Sequence, residues 1–353
     1  MLKISYTINN SLQQKPDFDS LGFGKYHTDY MLMADYANGV WQNHRIVPFA
    51  PLELHPFATG LHYGAQVFEG LKAYCNFYGD VQLFRPLENI KRLNKSANRL
   101  CLPQIESDDF MQMLTEFVKL EKDWVPTKDG TSLYLRPLLI GTDDTLGVNP
   151  PKKAQFVLMA SPVGAYYTGG LKPVKILIEL KDVRAAVGGT GHVKAGGNYA
   201  SSLRATKRAL KNDYNQILWL DAKNRAFIEE VGAMNVFFVI NNQVLTPSLN
   251  GSILPGITRD SCLQILKSKN INVCERQISL YEILQALKKG TISECFGTGT
   301  AAVVSPVGTI GSGDKMWHIN NKKIGKITQL LYDTLTGIQF GKAPDTFNWT
   351  HKI

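Results

Sequence analysis

The most unusual stretch of this sequence is Gly188-Gly-Thr-Gly-His-Val-Lys-Ala-Gly-Gly-Asn198, with five glycines in eleven residues. Glycine permits positive φ angles and lets a ligand approach the backbone closely. Lys194 lies inside this stretch. The pattern therefore indicates either a flexible loop with a solvated lysine or a lysine held where a planar cofactor stacks on bare backbone. A phosphate-binding P-loop is not favoured, because the G-x-x-x-x-G-K-[ST] pattern is broken here.

A lysine amine that forms a Schiff base is one requirement of pyridoxal phosphate (PLP) chemistry, and the cofactor needs two further partners. One partner tunes the pyridine nitrogen. Glu229 and Glu230, which follow the strand-like Ala226-Phe-Ile228, are candidates. Neighbours on a strand point to opposite faces, so one carboxylate can face a pocket. Periodicity does not decide which one, and two solvated glutamates at a sheet edge are the plain alternative.

The other partner binds the phosphate. Leu254-Pro-Gly-Ile-Thr258 runs into a helical pattern, and a helix N-terminus offers amides and a dipole that favour an anion. The alternative is that Thr258 only caps the helix. A second candidate is Phe296-Gly-Thr-Gly-Thr-Ala-Ala302, whose hydroxyls and amides suit a phosphate or a carboxylate.

Two arginines differ in their surroundings. Arg92 lies on a predicted helix beside Lys91 and Lys95, which is typical of a surface position. Arg136 lies inside the apolar run Leu133-Tyr-Leu-Arg-Pro-Leu-Leu-Ile140. A charge within a buried strand is costly unless it has a partner, and a planar guanidinium suits a carboxylate. Arg136 is therefore predicted to be functional or ion-paired.

Length and composition describe an ordinary globular protein. At 353 residues, with 44% hydrophobic and 20% charged residues, about two domains are expected. No apolar run is long enough for a membrane span. The net charge of +9 is scattered along the chain, which fits anionic small molecules better than nucleic acid. The five cysteines contain no C-x-x-C pair, so we expect no metal site, no disulfide framework and a cytoplasmic location.

Strands and helices interleave in both halves without strict βαβ alternation, which predicts two α/β domains. The Gly/Pro-containing segment 164–173 marks the boundary. Ser279 and Glu282 are predicted to form a capping box, and Gly337 is predicted to end the last helix. Strands are predicted at 80–85, 133–140, 155–160, 174–180, 216–220, 226–230 and 235–240, and helices at 87–100, 110–118, 199–212, 258–268, 281–289 and 323–336.

Five ordered motifs together resemble the branched-chain amino acid aminotransferases, which are fold-type IV PLP enzymes of the class IV aminotransferase family. The resemblance runs over nearly the whole chain. The motifs are Leu61-His-Tyr-Gly-Ala-Gln-Val-Phe-Glu-Gly-Leu-Lys72, Lys194-Ala-Gly-Gly-Asn-Tyr199, Glu229-Glu-Val-Gly-Ala-Met-Asn235, Asn250-Gly-Ser-Ile-Leu-Pro-Gly-Ile-Thr-Arg259 and Gly297-Thr-Gly-Thr-Ala-Ala302.

The resemblance implies an α/β (α+β) fold of two domains, like that of D-amino acid aminotransferase. A small N-terminal domain (1–164) and a larger C-terminal PLP-binding domain (175–353) are joined by an interdomain loop (165–174). It also implies PLP-dependent ping-pong transamination between L-leucine, L-isoleucine or L-valine and 2-oxoglutarate. The expected assembly is at least a homodimer, and neither nucleic acid nor a membrane is an expected partner.

Roles follow from the resemblance residue by residue. Lys194 would hold PLP covalently and move the proton between the substrate Cα and the cofactor C4′. Glu230, directly before Val-Gly, would bind the pyridinium nitrogen, and Tyr199 the phenolic oxygen. The phosphate would be bound by Arg92, Ile257, Thr258 and Thr300.

Substrate residues are implied in the same way. The branched side chain would contact Phe23, Tyr63, Phe68, Tyr134, Tyr166 and Ala233, with Val148 contributed by the partner subunit. Thr300, Ala301 and Ala302 would bind the α-carboxylate, and Arg136 the second carboxylate of glutamate. Two departures are visible: Ala302 and Ser305 stand where mammalian forms carry a redox C-x-x-C, and Ala233 replaces a threonine of some relatives.

Three kinds of alternative function fit parts of the sequence. A D-amino acid transaminase or an aminodeoxychorismate lyase shares the fold, but the whole-chain motif match disfavours both. A silent carboxylate- or phosphate-binding protein is disfavoured by Lys194, Glu230 and Tyr199. A basic nucleic-acid binder would show steeply salt-dependent binding.

Overall fold

Two sheets organise the chain in the computed structural model, which describes residues 1–165 and 170–353. The strands are β1 (Ser5–Tyr6), β2 (Tyr30–Ala37), β3 (Val40–Pro48), β4 (Gln66–Phe68), β5 (Leu71–Cys75), β6 (Val81–Phe84), β7 (Ser132–Gly141), β8 (Ala154–Val163), β9 (Val174–Ile178), β10 (Gln216–Leu220), β11 (Ile228–Val231), β12 (Met234–Ile240), β13 (Gln243–Pro247), β14 (Val273–Arg276), β15 (Ile292–Gly299), β16 (Val303–Ser312), β17 (Lys315–His318) and β18 (Thr350–Lys352). The helices are α1 (Thr59–His62), α2 (Pro86–Arg99), α3 (Ser107–Leu120), α4 (Gly196–Ala200), α5 (Leu203–Lys211), α6 (Ile257–Ser268), α7 (Leu280–Lys289) and α8 (Lys326–Gln339).

The first sheet has the strand order β1-β3-β2-β8-β7-β5-β6-β18, with β4 paired to β7. Apart from the short β1–β3 pair, its ladders are antiparallel. Helices α2 and α3 contribute the buried Leu93, Ala97, Phe110 and Phe117 to the same core as Leu135 of β7. The three- and four-residue spacing of these apolar positions gives each helix one buried stripe.

The second sheet closes on itself. Strand β11 pairs with β10 and also with β12, so the pairings run in a ring through β11, β10, β9, β16, β15 and β12. Closure leaves the ring strands without unpaired edges. Every residue of β12 is buried, as expected for a strand covered on both faces.

The polypeptide divides into two units. The first contains Met1–Thr168, Val193–Gly196 and Gly337–Ile353, and the second contains Gly169–His192 and Gly197–Thr336. The small N-terminal domain (1–164) and larger C-terminal domain (175–353) implied by the resemblance stay a prediction. In the structure, residues 193–196 and 337–353 group with the first unit. The physical reason is pairing, since Ala195 bridges to Val67 and β18 pairs with β6.

Most predicted elements are confirmed within a few residues, and two details are wrong. The helix predicted at 199–212 is broken, because the hydroxyls of Ser201 and Ser202 donate to the backbone carbonyls of Asn198 and Tyr199. Gly337 does not end the last helix, which continues to Gln339. No helix among residues 1–165 and 170–353 is long and apolar enough to cross a bilayer.

Candidate active site

Lys194 is fixed to the first unit through its backbone. Its N–H donates to Ser96 Oγ on α2 at 3.0 Å, and its carbonyl accepts from the Phe68 N–H at 3.0 Å. The lysine Nζ lies 4.9 Å from the centre of the Phe68 ring, a cation–π contact. Lys194 and the 61–72 motif, which are far apart in sequence, are therefore neighbours, and the lysine backbone is anchored on both sides.

Phe68, Tyr134 and Arg136 lie on the same face of the first sheet. In the antiparallel registers Phe68 is opposite Leu138, two residues from Arg136 on β7, so these side chains project to one side. The Arg136 guanidinium lies 4.8 Å from the Phe68 ring centre, and its Nη2 donates to Tyr134 Oη at 3.2 Å. Phe23 packs edge-on against Tyr134, with ring centroids 5.0 Å apart. The three aromatic rings therefore form a wall that the Arg136 cation contacts.

The Arg136 Nε is buried and, within the described part of the chain, has no hydrogen-bond partner. An unpaired buried donor on a charged group is costly, so it marks a position where a ligand anion is expected. Lys72 adds a second cation to the same face, because it lies directly opposite Tyr134 in the β5–β7 register. Burial lowers the pKa of Lys72 to about 8.

Gly70 is required where it stands. A Cβ built on this residue would lie 1.9 Å from Tyr134 Oη and 2.8 Å from its Cζ. The tyrosine ring end is rigid, so any side chain at position 70 would displace the hydroxyl that accepts from Arg136. This close approach explains the glycine in the Phe-Glu-Gly segment.

Glu69 points away from that face toward α2. It accepts from Arg92 Nε at 2.7 Å, from Arg92 Nη2 at 2.9 Å and from Asn89 Nδ2 at 2.8 Å. Burial raises the pKa of Glu69, but Arg92, followed by Lys194, outweighs burial and leaves this pKa below its ordinary value. Arg92 is thus a buried, ion-paired residue rather than a surface arginine, and its carbonyl accepts from Ser96 Oγ.

The two candidate carboxylates, Glu229 and Glu230, are both buried, with 2% and 3% of their surface exposed. Glu230 Oε1 accepts from the Leu254 N–H at 2.8 Å, and its Oε2 lies 3.2 Å from Arg184 Nε. Glu229 bonds instead with Ser252 and Asn250. The alternative of two solvated edge glutamates is wrong.

Glu230, Asn235 and Thr298 lie side by side on β11, β12 and β15, because Asn235 is the register partner of both other residues. Their side chains share one face of the second sheet. Asn235 Nδ2 donates to the Leu254 carbonyl at 2.9 Å, which ties this row to the segment before α6. The buried Thr298 Oγ1 has no hydrogen-bond partner among the described residues.

The two segments predicted to bind an anion, 254–258 and 296–302, have backbones that suit this role. Helix α6 begins after Gly256 with no side-chain cap, and Thr258 in its first turn is buried. Thr300, Ala301 and Ala302 form the turn between β15 and β16. Val303, directly after this turn, has φ +58°, a strained conformation for a β-branched residue.

The remaining predicted residues are located as follows. Tyr63 is partly exposed, and its hydroxyl donates to the Leu146 carbonyl at 2.5 Å. Val148 is 80% exposed, and Ala233 is exposed in the β11–β12 turn. Tyr199 is half-buried on α4. Tyr166 lies outside the described residues.

Several polar residues of these clusters received no role from the sequence, among them Glu69, Lys72, Ser96, Arg184 and Thr298. The available signal was position, since Glu69, Lys72 and Thr298 stand inside the quoted motifs. Ser96 and Arg184 are paired with Lys194 and Glu230, which are distant in sequence, so no local sequence pattern reveals them.

Comparisons with known proteins find a matching family and similar full-length sequences. The amino-transferase class IV family matches residues 66–310. Branched-chain-amino-acid aminotransferase 2 of Bacillus subtilis is 48% identical over 351 residues, covering 99% of this chain and 97% of that protein. A probable branched-chain-amino-acid aminotransferase of Staphylococcus epidermidis is 50% identical over 353 residues, with 99% and 98% covered.

Solved structures give the same result. The Escherichia coli branched-chain amino acid aminotransferase has a TM-score of 0.76 and 29% identity, covering 91% of this chain and 98% of that one. The T.th. branched-chain amino acid aminotransferase, solved with pyridoxamine 5′-phosphate, has a TM-score of 0.72 and 26% identity, with 90% and 97% covered.

Proposed function

This chain belongs to the class IV amino-transferases, and from that premise we propose how its own residues divide the work of the reaction. The chain is a branched-chain-amino-acid transaminase with PLP as its cofactor. It moves the amino group of L-leucine, L-isoleucine or L-valine to 2-oxoglutarate, giving a branched 2-oxo acid and L-glutamate. The observation that best supports the proposed roles is that the anchored Lys194 and Arg136 place their cationic groups 4.9 Å and 4.8 Å from the centre of the same Phe68 ring.

The donor set fits PLP. Lys194 supplies the amine for the aldehyde, Glu230 a buried carboxylate for the pyridine nitrogen, and Tyr199 a hydroxyl for the phenolic oxygen. For the phosphate, the proposed ligands are Arg92, Ile257, Thr258 and Thr300. The buried hydroxyl of Thr298, which has no hydrogen-bond partner among the described residues, lies two residues before Thr300 in sequence. This position is compatible with an anion bound at the turn between β15 and β16. When bound, PLP supplies an electron sink that makes the substrate α-proton acidic enough for an amine to remove.

Lys194 then carries the proton. With PLP bound, its Nζ would accept the α-proton of the amino acid and deliver it to C4′ of the cofactor, acting first as a general base and then as a general acid. The two backbone hydrogen bonds fix the Cα of Lys194, so motion is confined to the flexible side chain. Glu230 is buried and accepts from the Leu254 N–H, and a carboxylate in this position suits a partner that must keep a ring nitrogen protonated.

Arg136 gives the site its dual specificity. Its buried, unpartnered Nε and its position over Phe68 suit the second carboxylate of glutamate. Leucine places its side chain against the aromatic wall of Phe23, Phe68 and Tyr134 instead. Tyr63, Tyr166 and Ala233 are proposed for the same pocket, and Ala301 and Ala302 for the α-carboxylate together with Thr300.

The assembly is proposed to be a homodimer in the cytoplasm. Val148, Leu146 and Leu61 are large apolar side chains that the single chain leaves exposed. Exposed apolar surface of this kind is typical of an interface, and Val148 is the residue proposed to complete the partner subunit's pocket. The two-domain arrangement with a loop at 165–174 also stays a proposal.

The test of the proposed roles is Lys194→Ala. We expect transamination of leucine to fall by a factor of about 10²–10⁴ or more, because the proton carrier is gone. PLP should still bind through its phosphate contacts. The matched control is Lys207→Ala, which removes an exposed lysine of α5 and should retain full activity. A Lys194→Ala protein with wild-type turnover would overturn the assignment.

A further inference from the structure

Arg184 is a buried arginine that the reaction scheme above does not use. Only 9% of its surface is exposed. Its Nε lies 3.2 Å from Glu230 Oε2, without an aligned hydrogen bond. Its Nη2 donates to the Ser252 carbonyl and, at 3.4 Å, to the Gly191 carbonyl. The guanidinium therefore contacts a carboxylate and two backbone carbonyls at once.

Glu230 is held from two directions. The Leu254 N–H binds Oε1 at 2.8 Å, and Arg184 faces Oε2. In a buried site the attraction between two charges is weakly screened, so the arginine favours the ionised carboxylate strongly. A second buried carboxylate among the described residues, Glu229, accepts from Ser252 Oγ and Asn250 Nδ2, and the Ser252 carbonyl accepts from Arg184.

Arg184 also connects the glutamate strand to the glycine-rich segment. A Cβ on Gly191 would lie 2.2 Å from the Ser252 carbonyl oxygen, so these two backbones are in direct contact. His192 Nδ1 lies 3.0 Å from the Gly251 carbonyl oxygen. Removal of Arg184 would thus take away the cation that faces Glu230 Oε2 and the hydrogen bonds that Gly191 and Ser252 accept.

We propose that Arg184 is a positioning residue for the transamination, which orients the Glu230 carboxylate and keeps it ionised toward the pyridine nitrogen of PLP. The proposal rests on the role of Glu230 given under the proposed function. Arg184 touches neither substrate nor cofactor in this account, and its effect passes through Glu230. Its loss should therefore reduce turnover and change the pH response of cofactor binding, while substrate affinity stays nearly constant.

The experiment compares Arg184→Met, Arg184→Lys and the wild type. For Arg184→Met, kcat should fall about tenfold or more, with KM for L-leucine within about threefold. Affinity of the apoprotein for PLP is measured by quenching of tryptophan fluorescence between pH 6 and 9. Without the cation Glu230 takes up a proton more readily, so the pH at which affinity falls on acidification should rise by about one unit or more. Arg184→Lys keeps the charge and should restore most of the wild-type profile.

Two further variants separate this role from a merely structural one. Arg208→Met removes another ion-paired arginine of the same unit, which binds Glu179 and Asp182, and should leave the pH profile unchanged. In a Glu230→Gln background, Arg184→Met should cause no further shift, because there is no charge left to stabilise. If Arg184→Met does not fold, Arg184→Gln compared with Arg184→Lys gives the same test.

An unchanged pH profile in Arg184→Met, with Glu230→Gln impaired and the wild type active, would overturn the role of Arg184 alone. Full activity of Glu230→Gln would overturn the role of Glu230 itself, and with it this inference.

Discussion

Arg136 is a residue whose surroundings alone suggest where a ligand anion would bind. A cation inside an apolar strand needs compensation. The structure supplies two aromatic rings and one tyrosine hydroxyl, and leaves Nε without a partner among the described residues. Rings and a neutral hydroxyl offset part of the cost of burial. We infer that a carboxylate of the substrate supplies the rest.

The corresponding variant is Arg136→Met, which keeps an unbranched apolar stem and removes the guanidinium and its charge. A hydrogen bond to a charged group contributes about 1.5–3 kcal/mol, so KM for 2-oxoglutarate should rise at least about tenfold. KM for L-leucine should change far less, because its side chain contacts only the rings. Steady-state kinetics with both substrates make the comparison, and an equal rise for both would contradict the assignment.

Glu121 is a buried carboxylate outside the candidate site. Burial, with a further contribution from nearby Asp29, raises its pKa to about 7, although the Tyr30 N–H binds Oε1. A raised pKa means that the folded protein holds this proton more tightly than the unfolded chain. Glu121 therefore lowers the free energy of unfolding as pH rises from about 4 to about 7, by at most about 3 kcal/mol.

Glu121→Gln should remove this pH-dependent cost. We expect the variant to exceed the wild type in melting temperature at pH 8, with a smaller difference at pH 5, where Glu121 is protonated. Glu53→Gln, an exposed glutamate in a loop, is the matched control and should show no such trend. A difference between Glu121→Gln and wild type that does not depend on pH would contradict the raised pKa.

At the scale of single residues, the sequence indicated which side chains are chemically important better than it indicated which residues they pair with. Lys194 stood out because glycines surround it, and Arg136 because its neighbours are apolar. The choice between Glu229 and Glu230 could not be made from strand periodicity, since both are buried and each has its own polar partners. The pairing of Arg92 with Glu69 was equally invisible, because it joins a strand to a helix.

At the scale of elements, α7 gives a direct test of the capping rule. The Ser279 hydroxyl accepts from the Glu282 N–H at 3.0 Å, as the sequence predicted. The Glu282 carboxylate is bound by Arg276, so only the serine half of the capping box forms among the described residues. Ser279→Ala should cost about 1 kcal/mol in the free energy of unfolding.

Chemical denaturation measures that loss. Ser268→Ala, at the exposed C-terminal end of α6, is the control and should remain within about 0.5 kcal/mol of the wild type. An unchanged midpoint for Ser279→Ala would mean that tertiary contacts, rather than the cap, fix the start of α7.

Helix patterns were predicted from spacing, but their ends followed contacts that spacing does not encode. The hydroxyls of Ser201 and Ser202 break the helix predicted from Tyr199. Helix α8 passes through Gly337, and the chain reaches a positive φ only at Gly341. The hairpin of β2 and β3 was not predicted at all. Its tight connection at Asn38 and Gly39, both at positive φ, is the local signal that could have revealed it.

At the scale of the whole molecule, the α/β class was predictable, whereas the pairing of distant segments was not. Local patterns indicate strands and helices, but they do not say which distant strands pair. Residues 193–196 and 337–353 join the first unit through pairing with β4 and β6, across more than a hundred residues of sequence. Such pairing is fixed by the complete fold.

The measurement that tests the central claim most directly is the visible absorption spectrum of the purified protein with PLP. We predict a yellow band that is lost on addition of L-leucine and returns on addition of 2-oxoglutarate. This cycle would identify the cofactor, the reaction and both substrates in a single experiment. A band that ignores L-leucine but responds to D-alanine, or no band after PLP is added, would contradict the account.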